Sequence, residues 1–368
     1  MRIKNYIIFK EELKMKKKLL SMLLVGVTAM SMLAGCGGSS EEPKKEETKT
    51  EATDGKEEKK DEKKELDVVN VAYMPNYASL WVVTTAKEKG YFEEQGIEVK
   101  MTKFDDGPTE IAAMESGSMD VAYIGPGAHT LAIQGNVDIF CFQQLGDADC
   151  VMGLKSHGVN SLEDLKGKKV AYASGTSSET ILLRALDSVG LTMDDIEAYN
   201  MEVTNMPSAM ISGSIDACAP WSPNTKVITD ELGDDAQVFV SNADFSDIAA
   251  DPASWVCMPE YAEKNKDLLV RFTKALYKAM DFGAKEENFE EVAGYVANET
   301  KTDVETAMGQ TTDGAWLTSE ELLKGVEDGS VKGYYEIQQK NFLENGKITE
   351  EAPVDDYVLF DIMTEAGK

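Results

Sequence analysis

Histidine is almost missing from these 368 residues: His129 and His157 are the two. A metal centre built on several histidines is therefore excluded, and His-dependent catalysis is left with those two side chains. Arginine is nearly as scarce, at Arg2, Arg184 and Arg271. Basic residues number 37 against 66 acidic, a formal net charge of −29. Nucleic acid is a poor partner for such a chain, because phosphate neutralisation needs Lys and Arg. Beyond Cys36 the cysteines are Cys141, Cys150, Cys218 and Cys257, with no C-x-x-C spacing. Zinc and thioredoxin-type readings fall away, and the four read as small buried hydrophobes. A single long apolar run, 19–35, excludes a polytopic membrane protein. Neither a phosphate-binding G-x4-G-K-S/T loop nor a G-x-S-x-G nucleophile elbow occurs, and no cofactor is implied.

The apolar run follows Lys16-Lys17-Lys18 and ends at Leu33-Ala34-Gly35-Cys36. A positive segment, a short apolar stretch and small residues before a cut make a secretory signal. Residues 1–35 are read as that signal, with translation expected to start at Met15. Leu-Ala-Gly-Cys resembles the lipobox of bacterial lipoproteins, which implies lipidation of Cys36 and a membrane anchor on the extracytoplasmic face. Residues 36–66 are then the lipidated cysteine and a charged, disordered tether. Of the charged residues, 15 basic and 13 acidic fall in 1–66, which leaves 67–368 at −31. The acidity belongs to the folded part, and its 42% hydrophobic chain has mass enough for two lobes.

The folded part echoes itself. Val71-Ala72-Tyr73 returns as Val170-Ala171-Tyr172, and Ala113-Met114-Glu115-Ser116-Gly117-Ser118-Met119-Asp120 returns as Ala209-Met210-Ile211-Ser212-Gly213-Ser214-Ile215-Asp216. Each copy reads as a short strand, a polar loop, a helix with apolar residues at 3.6 spacing, then strand, helix and strand. Gly90 and Gly190 are expected to end the first helices, where positive φ is needed. Alternating strands and helices imply an α/β fold of mostly parallel sheets flanked by helices. Ligands bind beyond the carboxyl ends of such strands, so two facing lobes make a cleft. Residues 264–282, 287–298, 302–309, 319–324 and 334–345 read as helices.

The strings VNVAYMPN, KEKGYFEEQGIEV, MESGSMDVAYIGPG, NSLEDLKGKKVAYASGTSSETILLRAL and SGSIDACAPWSP resemble the nitrate/sulfonate/taurine/thiamine-precursor solute-binding proteins of ABC importers. Asp216 followed by Trp221-x-Pro223 is similar to that family's cleft wall. The resemblance implies a two-lobed type II periplasmic-binding-protein fold, with 67–150 and 250–368 as lobe 1 and 151–249 as lobe 2. It also implies a small-molecule ligand, an ABC permease partner, a monomer and no enzymatic activity. The alternatives are a lipid-anchored sensor without transport and an enzyme like the thiamine-pyrimidine synthases, whose Cys-rich motif is missing here.

The ligand residues expected from lobe 1 are Asn76, Tyr77, Trp81, Asp105, Gly125 and Gln144. Trp81 lies on a helix and reads as core before it reads as ligand wall. Asp105-Asp106 is a solvated loop or an acceptor pair for amino groups. Gln143-Gln144 ends a strand, so alternation should turn one of the two to the cleft. Lobe 2 is expected to supply Ser174, Thr176, Ser177 and Trp221. The loop 175–179 either holds an acceptor group on its N–H groups or is simply a helix cap made by Ser177 or Ser178. Trp221, between Pro220 and Pro223, offers a flat apolar wall. Arg184 and Arg271 fall inside helices, so no Arg clamp for an anion is expected. The charge balance favours a neutral or cationic, heteroaromatic solute over a sulfonate.

Overall fold

The computed structural model describes residues 65–368. The signal segment, the lipobox with Cys36 and nearly all of the tether lie outside the described residues.

The first sheet-forming unit starts with β1 (Asp67–Tyr73), the helix Tyr77–Glu88, β2 (Ile97–Lys103), the helix Gly107–Glu115 and β3 (Val121–Ile124). β4 (Asp138–Gly146) follows, and after three intervening residues β5 (Cys150–Leu154) opens a second sheet. The second copy is β6 (Lys169–Tyr172), the helix Ser177–Ser188, β7 (Glu197–Asn200), the helix Met206–Ile211 and β8 (Ala217–Cys218). β9 (Ala236–Ser241) completes the second sheet, and β10 (Pro252–Cys257) and β11 (Gly314–Trp316) return to the first. The orders are β11-β4-β10-β3-β1-β2 and β7-β6-β8-β5-β9. β1 runs parallel to β2 and β3, as β6 does to β7 and β8. Parallel pairing stops there, so both sheets are mixed. The strands next to the crossings, β4, β5, β9 and β10, pair antiparallel, because the chain reverses as it passes between sheets.

The echo in the sequence is an echo of physical jobs. Asp120 Oδ2 accepts the N–H of Asn70 at 2.7 Å, and Asp216 Oδ2 accepts that of Lys169 at 2.8 Å. Each carboxylate ties the third strand to the start of the central one. Ser79 Oγ accepts Met74 N–H at 3.1 Å, and Ser178 Oγ accepts Ala173 N–H at 2.9 Å. Each hydroxyl draws the strand's last turn onto the following helix. Those helices are capped by Asn76 and Thr176 and followed by Gly90 and Gly190 at φ +73° and +70°. Asp216 therefore belongs to the strand scaffold, where it also meets His157 Nδ1 at 2.8 Å, and not to a cleft wall.

The C-terminal helices pack on the first sheet. The run expected at 264–282 is the helix Lys266–Gly283, which buries Leu269, Phe272, Thr273, Leu276 and Met280 on one stripe. Helices Phe289–Thr300, Val304–Gly309, Ser319–Glu327 and Ser330–Glu344 match the four shorter runs to within a few residues. Phe272 meets Phe92, Phe140 and Trp255 at ring distances of 4.8 to 6.0 Å. Cys141, Cys150, Cys218 and Cys257 are buried and free, as small hydrophobes should be.

One buried group works against this core. Glu110, on the helix Gly107–Glu115, is fully buried, and neither carboxyl oxygen has a partner among the described residues. Burial, reinforced by Asp106 one turn away, holds its carboxyl far above the usual range. Glu110→Met removes an orphaned polar group and should stabilise the fold by about 1–3 kcal/mol. Because ionisation is what burial penalises, the gain should be larger at pH 8 than at pH 4. Urea denaturation at both pH values checks this, and a gain independent of pH would refute it.

Candidate functional site

A cavity opens where the carboxyl ends of β1, β3 and β6 face each other. The first sheet's side supplies Met74, Asn76, Asp106, Gly125, Pro126 and Gln144. The second contributes Thr176, Ser177, Trp221 and Ser222. Asp149 comes from the crossing between the sheets, and Gln310 and Asp313 from the C-terminal region. The cavity has a volume of about 60 Å³. One water needs roughly 10–15 Å³ of such space, so the cavity suits one small solute.

Gly127 lets the two sides touch. A Cβ there would lie 2.0 Å from Thr176 C and 2.4 Å from Ser177 N. Any side chain would have to push the second sheet's loop away. Ser177 Oγ reaches across and donates to Asp149 Oδ1 at 2.6 Å. Trp221 is fixed beside them because its segment pairs with the crossing: Cys150 N–H donates to Pro220 O at 3.1 Å and Ser222 N–H to Ala148 O at 3.2 Å.

Six of the ten expected ligand residues line the cavity: Asn76, Gly125, Gln144, Thr176, Ser177 and Trp221. Four do not. Tyr77 and Trp81 are fully buried, each a little over 5 Å from the Trp316 ring, and form the floor's core. Asp105 is exposed, and its neighbour Asp106 takes the wall position. Ser174 is exposed and donates its N–H to Asn200 Oδ1 at 3.0 Å. Asp149, Tyr123, Gln310 and Asp313 escaped sequence reasoning. Asp149 had one visible signal, an acidic residue set at the presumed crossing between two apolar strands. Gln310 had none, since it arrives from a helix far along the chain to accept Tyr77 N–H at 2.9 Å.

Gln143 and Gln144 act together rather than on opposite faces. The pairing of β4 with β10 skips Gln143, which is the extra residue of a bulge. Trp255 Nε1 donates to Gln143 Oε1 at 2.7 Å, and Trp81 Nε1 to Gln144 Oε1 at 2.6 Å. Gln144 Nε2 donates to Tyr123 Oη at 3.1 Å. This network fixes the amide on the cavity floor.

The loop 175–179 has little left for an anion. Thr176, rather than Ser177 or Ser178, is the cap, and it accepts Ser178 N–H at 3.2 Å. Glu179 already accepts Gly175 N–H at 2.7 Å and pairs with Lys347. Arg184 is tied to Asp251, and Arg271 to Asp67 and Asp267. Among the described residues no Lys, Arg or His lines the cavity, whereas Asp106, Asp149 and Asp313 do. His129 is buried behind the wall with Nδ1 2.8 Å from Gln338 Oε1, and burial lowers its pKa to about 4. Among the described residues no group of His, Cys, Asp and Glu is placed to hold a metal ion.

Comparison with known proteins gives the context. The pattern of the NMT1/THI5-like family matches residues 78–287. A Brucella abortus protein named as a binding protein is 31% identical over 80% of this chain and 91% of its own. A Bacillus subtilis protein named for binding aliphatic sulfonates is 26% identical over 87% of this chain and 89% of its own. The ligand binding component of an ABC-type import system from Staphylococcus aureus shares the fold, with a TM-score of 0.65 at 16% identity over 82% of this chain and 99% of that one.

Asp149 gives the cavity a pH signature. Burial pushes its carboxyl up to about 6, against the pull of the Ser177 hydroxyl. The folded chain therefore holds this proton more tightly than the unfolded chain does. Stability from this group is greatest below the unfolded value near 4 and is lost as pH rises to about 6, by about 3 kcal/mol. In Asp149→Asn that fall should be flattened, as read by urea denaturation between pH 4 and 7. An unchanged profile would mean that Asp149 is ionised throughout.

Proposed function

The chain belongs to the NMT1/THI5-like family, and from that premise we propose that it is the extracytoplasmic solute-binding component of an ABC importer. The two sheets are read as the cores of two lobes, 67–150 with 250–368, and 151–249. They close on a small molecule and present it to a permease. Cys36 is the lipidated anchor in this reading, and the acidic chain works as a non-enzymatic, monomeric receptor at the membrane surface. The cavity at the strand ends, walled from both sheets, is the observation that carries the proposal.

The ligand class follows from the lining. Among the described residues, three Asp and no cation line the space. An alkanesulfonate would bring negative charge to carboxylates with no Arg or Lys to receive it. A small neutral or cationic heteroaromatic with N–H donors fits better. Its donors meet Asp106, Asp149 or Asp313, Gln144 can orient it, and the Trp221 indole covers its flat face.

Calorimetry of the purified full chain tests both levels. Small nitrogen heterocycles and amines should include a micromolar ligand, while taurine and short alkanesulfonates bind no tighter than about millimolar. Micromolar binding of a simple sulfonate would overturn the charge argument. With the ligand in hand, Trp221→Ala should weaken binding by roughly thirtyfold, the cost of truncating an aromatic anchor. Normal binding with a stability loss of about 3–5 kcal/mol would make Trp221 core instead.

The anchor has its own test. Cys36→Ser should move the protein out of the detergent-rich phase on phase partitioning, and an unmodified Cys36 thiol in the mature wild type would refute lipidation.

A further inference from the structure

We propose that Lys347 is a positioning residue for the cavity at the strand ends: its pair with Glu179 seats the loop 175–179 against 126–128 before any ligand arrives. This rests on the reading of 151–249 as a lobe that closes on the rest of the chain. Neither Lys347 nor Glu179 is among the described residues that line the cavity, so their contribution is made through other groups.

The pair joins two fixed supports. Lys347 follows the helix Ser330–Glu344, whose end is turned by Gly346 at φ +67°. Its N–H donates to Phe342 O at 2.7 Å, and Phe342 and Ile348 are buried in the core of the first sheet. Glu179 stands in the first turn of the helix Ser177–Ser188. Besides meeting Lys347, its Oε2 accepts Gly175 N–H at 2.7 Å and the Ser174 hydroxyl at 3.4 Å. One carboxylate oxygen therefore sets both the turn at Gly175 and the place of that turn relative to Lys347. The two side chains are 16% and 14% exposed, against 70% and 85% for the surface pair Lys264–Glu260. At that depth water replaces a lost partner poorly, so this pair should matter where the surface one does not. Each charge also suits its helix end, the anion at an amino end and the cation at a carboxyl end.

The segment held in this way is the one the cavity uses. Thr176 and Ser177 form part of its wall, and Gly127 packs on their backbone with no room for a side chain. Pro108 also meets this loop, its Cγ lying 3.5 Å from where a Cβ on Gly175 would be. Like charges work against the contact. Asp105 and Asp106 follow β2 and Glu202 follows β7. Burial, with Asp106 and Asp105 adding to it, holds the Glu202 carboxyl above its usual range. An opposite-charge pair between the same two sides offsets that repulsion. The affinity a ligand shows is scaled by the fraction of the protein already in the binding form, so a pair that assembles the wall in advance raises affinity without touching the ligand.

Amide hydrogen exchange of the ligand-free full chain tests this, read by mass spectrometry on peptides covering 125–131 and 174–180. In Lys347→Met both peptides should exchange about tenfold faster, because both faces of the contact open to water. Glu179→Gln keeps an acceptor for Gly175 N–H and removes the charge, and it should speed both peptides as well. Lys347→Arg restores the cation and should exchange like the wild type. Peptides from the helix Lys266–Gly283 report on the core and should not change in any variant. Faster exchange of 174–180 alone would mean that the pair stiffens its own loop and does not position it, which overturns the proposal. Faster exchange throughout, or failure of Lys347→Arg to restore both peptides, would overturn it too. No ligand enters the measurement, so its outcome is separate from the calorimetry that tests the solute-binding role.

Discussion

A carboxylate kept inside the junction between the two sheets is the constraint on which the molecule turns. Asp149 lies in the crossing between β4 and β5, and a buried charge there is costly unless paired. Ser177 Oγ meets the carboxylate, and the return segment holds the backbone beneath it. Asp149 N–H donates to Asn242 Oδ1, and Asn242 N–H donates back to Asp149 O at 3.3 Å. Asn242 also holds Asp251, which holds Arg184, and Asp251 O accepts Gly146 N–H at 2.8 Å. The two crossings are thus clasped to each other and to the helix Ser177–Ser188. Removing either member of the Arg184–Asp251 pair would strand the other charge, at about 3–5 kcal/mol.

That clasp sits between two copies of one structural solution. In each copy an Asp fixes the third strand to the central one, a Ser draws strand into helix, and a polar cap starts the helix. Both sets of strand ends consequently point their loops at the same space. Gly127 brings these loops into contact, and Ser177 joins that contact to Asp149. Cavity shape and junction electrostatics are therefore one arrangement. A change of the Asp149 side chain alters the cavity wall and its tie to Ser177 together.

The lining bears on which solutes the cavity can hold. Shared strands and helices set where a ligand sits. What it can be is set by the few polar groups that meet it, and among the described residues those are Asp, Gln, Asn, Ser, Thr and Tyr without a cation.

Local pattern was enough for the α/β architecture, the echo, the helix ends at Gly90 and Gly190, and the burial of four cysteines. Each depends on periodicity, backbone freedom or residue size, which neighbours in sequence carry. The wall positions of Asn76, Gly125, Thr176, Ser177 and Trp221 were legible for the same reason, since they follow strand ends. Tyr77 and Trp81 looked identical by that criterion, yet Trp316, from 235 or more residues away, packs over them and makes them core. Asp106 replaced Asp105 because capping the helix turns its side chain inward, a one-residue choice that alternation does not fix. Gln143 and Gln144 share a face through a bulge that only the pairing with β10 creates. Asp149, Gln310 and the Arg184–Asp251 pair acquire meaning when segments far apart in sequence meet. Sequence by itself determined which elements form and where their loops gather; tertiary structure decided which side chains the loops expose, because burial and charge are properties of the assembled neighbours.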